Sequence, residues 1–177
     1  MSLMNTATTY GFLTKFLHWM VFFLVLVMLL LGFFMGAVHN DALHNNVVNV
    51  HKLIGIIILG LMVCRVFWSM MDPRPHLLYA VPRWQHYAER WTHVGLYVVL
   101  IIMPILGWVG SVAGGHPPYF LNYTLNLPIP ANQMLKTTAF TGHLIVAYVI
   151  IILVSIHVLA ALYHFFIKKD SVLQRML

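Results

Sequence analysis

Residues 140–167 read FTGHLIVAYVIIILVSIHVLAALYHFFI. No Asp, Glu, Lys or Arg interrupts the run, and it exceeds the roughly 20 apolar residues that carry a helix across a bilayer core. Yet it contains His143, His157 and His164. His143 and His157 are fourteen residues apart. At about 1.5 Å and about 100° per helical residue they stand roughly 21 Å apart along the axis, offset by only about 40°. One helix thus presents two imidazoles, at two depths of a membrane, on nearly one face.

Three more apolar runs precede it, at about residues 16–37, 47–71 and 91–113. The 177 residues are 61% hydrophobic and 8% charged, with mean hydropathy +0.86; soluble domains carry about 25% charged residues. No soluble core hides that much apolar surface, so the expected class is all-α, an integral membrane four-helix bundle forming a single transmembrane domain over 1–177. The first run is longer than the 7–15 residues of a signal-peptide core and is read as a retained helix. Cys64 is the single cysteine; there is no internal disulfide, no C-x-x-C pair and no C-x-x-C-H attachment signature. The net charge of +6 is scattered rather than gathered into a basic run, which argues against nucleic acid as a partner. Instead it reports topology. Lys15, Arg65, Arg74, Arg83, Arg90, Lys168, Lys169 and Arg175 fall on one side, and Lys52 and Lys136 on the other. That bias places both termini and the loop 72–90 in the cytoplasm. The loops 38–46 and 114–139 then face outward; the aromatic and amide residues of the second suggest an ordered surface lid, but a plain loop is the preferred reading.

Each imidazole of the fourth helix needs a partner at its own depth. His18 lies near the inner end of the first helix and His51 near the outer end of the second. Pairing His18 with His157 and His51 with His143 gives two sites, one per leaflet. Two axial imidazoles hold haem iron as an electron carrier, so the expectation is two haems b between the helices. His93, at a depth similar to His18, is the alternative inner ligand. Arg65 follows His51 by fourteen residues; an arginine within a span calls for a partner, either a haem propionate or, by snorkelling, the inner surface. Small residues beside the histidines (Gly55, Gly142, Ala160, Ala161) suit a flat cofactor or close helix packing. The four acids, Asp41, Asp72, Glu89 and Asp170, all lie outside mid-span positions, which weighs against zinc or manganese transport and against proton pumping.

These residues also fall in a familiar order. Lys15-Phe16-Leu17-His18-Trp19 opens the first helix. His51-Lys52-x-x-Gly55 and Arg65-Val66-Phe67-Trp68 lie on the second, and His93-x-x-Leu96-Tyr97 and Pro104-x-x-Gly107-Trp108 on the third. His157-Val158-x-Ala160-Ala161-Leu162-x-His164, Asp170, Val172-Leu173 and Arg175-Met176-Leu177 close the series. Over nearly its whole length the chain resembles the bacterial cytochrome b561 family of four-helix dihaem membrane cytochromes. It departs at Ser69, where another arginine is common. The resemblance implies haem b ligands at His18, His51, His143 and His157 and electron transfer linked to quinone. Its superoxide-oxidising members imply a superoxide:ubiquinone oxidoreductase of the bacterial inner membrane. Lys52 and Lys136 would then attract the superoxide anion or else merely face lipid headgroups, and His164 would bind ubiquinone, with Arg74 and Tyr163 as weaker candidates, or else, as the stronger reading, serve as an interfacial histidine. The other reading is a haem b subunit, in contact with membrane lipid and a redox partner protein, that couples a separate periplasmic dehydrogenase or hydrogenase to the quinone pool.

Overall fold

The computed structural model describes residues 2–72, 75 and 82–177. Four long helices dominate: α1 (Phe12–Phe34), α2 (Asp41–Met71), α3 (Arg83–Ala113) and α4 (Gln133–Tyr163). With their short extensions, the four segments are long and apolar enough to cross a membrane, with mean hydropathies from 2.2 to 2.8. The helices begin earlier than the apolar runs suggest. The Asn40 side chain accepts the Leu43 N–H at 2.9 Å and that of Asn132 accepts the Leu135 N–H at 2.9 Å. These caps satisfy orphan donors at the first turn, so polar residues such as Asn45, Asn46 and Lys136 are already helical. The apolar run marks what lipid touches; the cap marks where the helix starts.

We call the end where α1 and α3 begin the inner end and its opposite the outer end. Each helix packs on its neighbour in sequence, α1 on α2, α2 on α3 and α3 on α4, while among the described residues α1 and α4 barely approach each other. Val21 and Val25 of α1, Ile58 and Met62 of α2, Leu100 of α3 and Ile150 of α4 form the buried centre. Large apolar side chains such as Phe33, Leu144 and Ile152 point outward, as lipid-facing residues do. Without a hydrophobic driving force between helices in lipid, close packing at small residues holds them together. The tightest seam is α3 on α4: a Cβ on Gly110 would come within 3.1 Å of the Phe140 ring and 3.3 Å of the Ala139 methyl. Gly142 likewise meets Leu106, so this small residue serves helix packing. Pro104, buried inside α3, gives the Leu100 carbonyl no helical N–H.

The α3–α4 connection is an ordered lid across the outer end. Its tip is a two-residue hairpin, β1 (Tyr119–Phe120) against β2 (Tyr123–Thr124), turned through Leu121 at φ 53°. Asn49 of α2 clamps it twice, donating to the Tyr119 carbonyl at 2.9 Å and accepting the Tyr119 N–H at 3.0 Å. Lys52 Nζ donates to the His116 carbonyl at 2.8 Å, and Trp108 Nε1 to the Leu125 carbonyl at 2.8 Å. Ser111 also donates to the His116 carbonyl, and Pro118 is fully buried.

The inner end is tied as firmly. The buried Asp72 carboxylate accepts the Asn5 N–H at 2.9 Å and 3.1 Å, one bond to each oxygen, fixing the segment before α1 to the end of α2. Beyond α4 the backbone widens into a π-turn (His164–Lys168). It then reverses at Lys169, φ 52°, and returns toward α1, where Trp19 Nε1 donates to the Met176 carbonyl at 2.8 Å.

Candidate functional site

The imidazoles meet across the bundle at two levels. At the outer level the rings of His51 (α2) and His143 (α4) have centroids 6.2 Å apart and planes inclined at 65°. At the inner level His18 (α1) and His157 (α4) have centroids 6.0 Å apart and planes inclined at 58°. The fourteen-residue spacing on α4 is thus matched by partners on two other helices. His93 of α3 also reaches the inner level, 5.2 Å from His157 between centroids, with Glu89 3.8 Å from its Nδ1.

The inner pair lines a partly open cleft. All four helices contribute to its wall, which is apolar except at His18, His93, His157, Arg65 and Tyr97. It follows from the packing order: α1 and α4 hold apart, and the slot lies between them.

Two imidazoles face each other at the outer level, and at the inner level His93 joins His18 and His157. Among the described residues no group of three or more His, Cys, Asp or Glu gathers to hold a bare metal ion, whereas haem iron would need only one histidine from each of two helices. The paired rings, with centroids 6.2 Å and 6.0 Å apart, would hold such a group between them. His143 is also in the right tautomer. Its Nδ1 lies 3.0 Å from the Met103 carbonyl, which can only accept, so Nδ1 carries the proton and Nε2 keeps its lone pair for a metal. Gly107 makes room for this ring: a Cβ there would lie 3.0 Å from His143 Cε1. Nδ1 of His51 is buried with no hydrogen-bond partner among the described residues.

His18 differs. Arg65 Nη2 lies 3.0 Å from its Nδ1, and a guanidinium only donates, so here Nδ1 accepts and Nε2 bears the proton. Ligation through Nε2 needs the reverse tautomer and frees Arg65. The arginine is therefore a cleft residue, also 5.4 Å above the Tyr97 ring centroid, and does not snorkel away from the site.

The remaining sequence-derived positions fall at the two ends. Lys52 and Lys136 lie at the outer end, both beside the lid; Lys52 holds it by the hydrogen bond above, and the Lys136 stem packs beside Gly114. His164 and Tyr163 lie at the inner end with rings edge to face, centroids 5.9 Å apart. Arg74 lies outside the described residues. Sequence reasoning passed over Asn49, Asp170 and Trp19 as parts of the architecture. Asn49 carried a signal, being an amide two residues before His51 in an apolar run. Asp170, whose carboxylate meets His164 Nδ1 at 2.6 Å, stood in the C-terminal motif, but its contact with His164 was not legible, because the reversal at Lys169 that brings them together has no sequence hallmark.

Comparison with known proteins agrees with this geometry. The prokaryotic cytochrome b561 family profile matches residues 9–177. Cytochrome b561 homolog 2 of Escherichia coli (strain K12) is 31% identical over 180 aligned residues, covering 100% of this chain and 95% of that protein. Cytochrome b561 homolog 1 of the same organism is 28% identical over 72% of each chain. The Yersinia pestis protein named "Probable superoxide oxidase CybB" is 30% identical over 72% of this chain and 73% of its own. With a full-length family match and four apolar helices facing histidines across the bundle, the chain belongs to the prokaryotic cytochrome b561 family, as a bacterial membrane electron-transfer protein that binds haem b.

Proposed function

We propose that this chain holds two haems b, one between His51 and His143 and one between His18 and His157, and passes electrons from superoxide at its outer face to ubiquinone near its inner end. The observation that carries the reading is the repeated cross-helix imidazole pair, with centroids 6.2 Å and 6.0 Å apart, at two positions fourteen residues apart on α4. Haem iron supplies reversible one-electron chemistry when bound. The chain's own residues do the rest: α4 sets the two depths, the Met103 carbonyl and Gly107 orient His143, and the lid screens the outer pair from bulk water. Two superoxide anions release two electrons and leave as oxygen, and ubiquinone takes up those electrons with two protons to become ubiquinol. Lys52 and Lys136 give the outer face a positive bias that favours the anion. His164 offers a hydrogen bond to a quinone carbonyl at the inner end, with Tyr163 beside it and Arg74 as a further candidate. The name borne by the Yersinia pestis relative supports the choice of superoxide. We place the protein in the inner membrane with both termini cytoplasmic, from the lysine and arginine bias.

One feature favours a second reading, a haem b subunit that takes electrons from a separate periplasmic dehydrogenase or hydrogenase. Phe120, Leu121 and Tyr123 are 60%, 78% and 76% exposed at the tip of a firmly anchored hairpin, a rigid apolar knob suited to a redox partner protein. Purification in detergent separates the readings. Two haems per chain by pyridine haemochrome, with superoxide-dependent ubiquinone reduction by the isolated protein, support the first. A coloured protein inert to superoxide that copurifies with a dehydrogenase supports the second. A colourless protein after expression with ample haem overturns both.

A further inference from the structure

The inner end holds a pair of side chains that the electron path alone does not use. His164 stands two turns beyond His157, about 10 Å further along the helix by its rise. Its Nδ1 lies 2.6 Å from Asp170 Oδ2. The other carboxylate oxygen, Oδ1, accepts the Val172 N–H at 3.1 Å. The turn therefore needs only Oδ1, and Oδ2 is given to the imidazole. The contact also has a local conformational cost: the π-turn widens the helix end, and Lys169 adopts φ 52°, unfavourable for a residue with a Cβ. The returning segment is fastened to α1 through Trp19 and Met176 and by Arg175 stacked 5.5 Å from the Tyr10 ring centroid. The pair thus sits in a seam between helix ends. Its side chains are 16% and 20% exposed, so the pair is neither sealed in the bundle nor free at the surface.

We propose that Asp170 is a positioning residue for proton delivery to a quinone headgroup bound at His164, an inference that rests on the quinone site proposed above. Accepting from Nδ1, the carboxylate fixes the ring and leaves Nε2, on the far side, to the ligand. Reduction of a quinone to a quinol consumes two electrons and two protons. For each proton, the Nε2–H bond of the imidazolium breaks as an O–H bond forms on a quinone oxygen. The neutral imidazole keeps its Nδ1 proton toward Asp170 and is recharged at Nε2 from water at the inner end. The electrons come along the proposed path from superoxide, so no further reductant is required.

The haem-loaded protein in detergent, reduced beforehand and mixed with ubiquinone-1, tests this by the rate of haem reoxidation in H₂O and D₂O, beside calorimetric binding of a redox-inert quinone analogue. Asp170→Asn, which can still accept the Val172 N–H, lowers the maximal rate by about a hundredfold, the lower end of what a positioned acid contributes. It leaves analogue affinity within about threefold and enlarges the solvent isotope effect. Asp170→Glu restores most of the rate, and added formate partly rescues the asparagine variant. His164→Ala weakens analogue binding at least tenfold. If analogue binding depends on His164 but Asp170→Asn leaves rate and isotope effect unchanged, the role of Asp170 is refuted while the quinone site stands. If His164→Ala binds the analogue like the parent, both fall.

Discussion

Replacing Gly107 isolates the outer pair with a single methyl group. A Cβ at this position would sit 3.0 Å from Cε1 and 3.2 Å from Nδ1 of His143, against about 3.5–4.0 Å for unstrained carbon contacts. The ring must yield by about half an ångström, and it has little freedom to do so, because Nδ1 is hydrogen-bonded to the Met103 carbonyl at 3.0 Å on the same helix α3. Moving it stretches that bond, worth about 0.5–1.5 kcal/mol, and tilts Nε2 off its axis toward His51. Loss of such an orienting contact lowers metal affinity by about 10–100-fold. Gly107→Ala therefore weakens haem retention at the outer level, and Gly107→Val abolishes it. The assay is the haem-to-chain ratio by pyridine haemochrome after chromatography, with the low-spin signals of the two sites resolved by electron paramagnetic resonance. The valine variant should fall from two haems to one and keep the inner signal. Gly60→Ala, where a Cβ meets nothing within 4 Å, serves as the control. A Gly107→Val protein that keeps both haems and an unaltered outer signal refutes the assignment of His143.

Three further outcomes are expected. His157→Ala loses the inner haem and keeps the outer one, whereas His93→Ala keeps both; loss of a haem in the His93 variant, with the His18→Ala variant intact, would make His93 the inner ligand. Lys136→Glu slows superoxide oxidation, more at low ionic strength than at high, and an unchanged rate in dilute buffer counts against steering; Lys52→Glu confounds this measurement, because Lys52 also fastens the lid. Asn49→Ala removes both hydrogen bonds to Tyr119, worth about 1–3 kcal/mol together. It should speed amide exchange over residues 116–125 without changing haem content, and equal exchange in both proteins would show that the clamp is dispensable.

The spans and the two-level histidine pattern were legible because they depend on regularities along one helix: an apolar run, a rise per residue and a turn per residue. His143 and His157 needed only that arithmetic. The helix starts were less legible because Asn40 and Asn132 act through local capping, outside the apolar runs. Arg65 showed a need for a partner but not which one, since its neighbour His18 lies on another helix. His93 stayed ambiguous for a related reason: depth alone does not distinguish the imidazoles of α1 and α3, and the structure brings both to His157. Asp170 and the lid clamps depend on where loops fold back, and no periodicity encodes a reversal such as that at Lys169.

The packing order explains how one helix can serve both sites. α4 is seamed to α3 where Gly95, Gly107 and Gly110 let the backbones close in. That seam holds α4 against α3, with the His143 ring seated on it beside Gly107, and among the described residues it leaves α4 barely touching α1. If α4 packed as tightly on α1 as on α3, His18 and His157 would be pressed together and no planar group could enter. Gly95 and Gly110 therefore act away from the histidine pairs, by drawing α4 onto α3 and keeping it off α1, whereas Gly107 faces His143 directly. On the proposed function, a macrocycle held between the paired histidines would join α1 to α4 and α2 to α4, helix pairs that barely touch among the described residues. Binding energy at such a site adds directly to the stability of the folded bundle, so substitutions that thicken the α3–α4 seam, Gly95 against Leu153 included, are expected to shift haem affinity and thermal stability together.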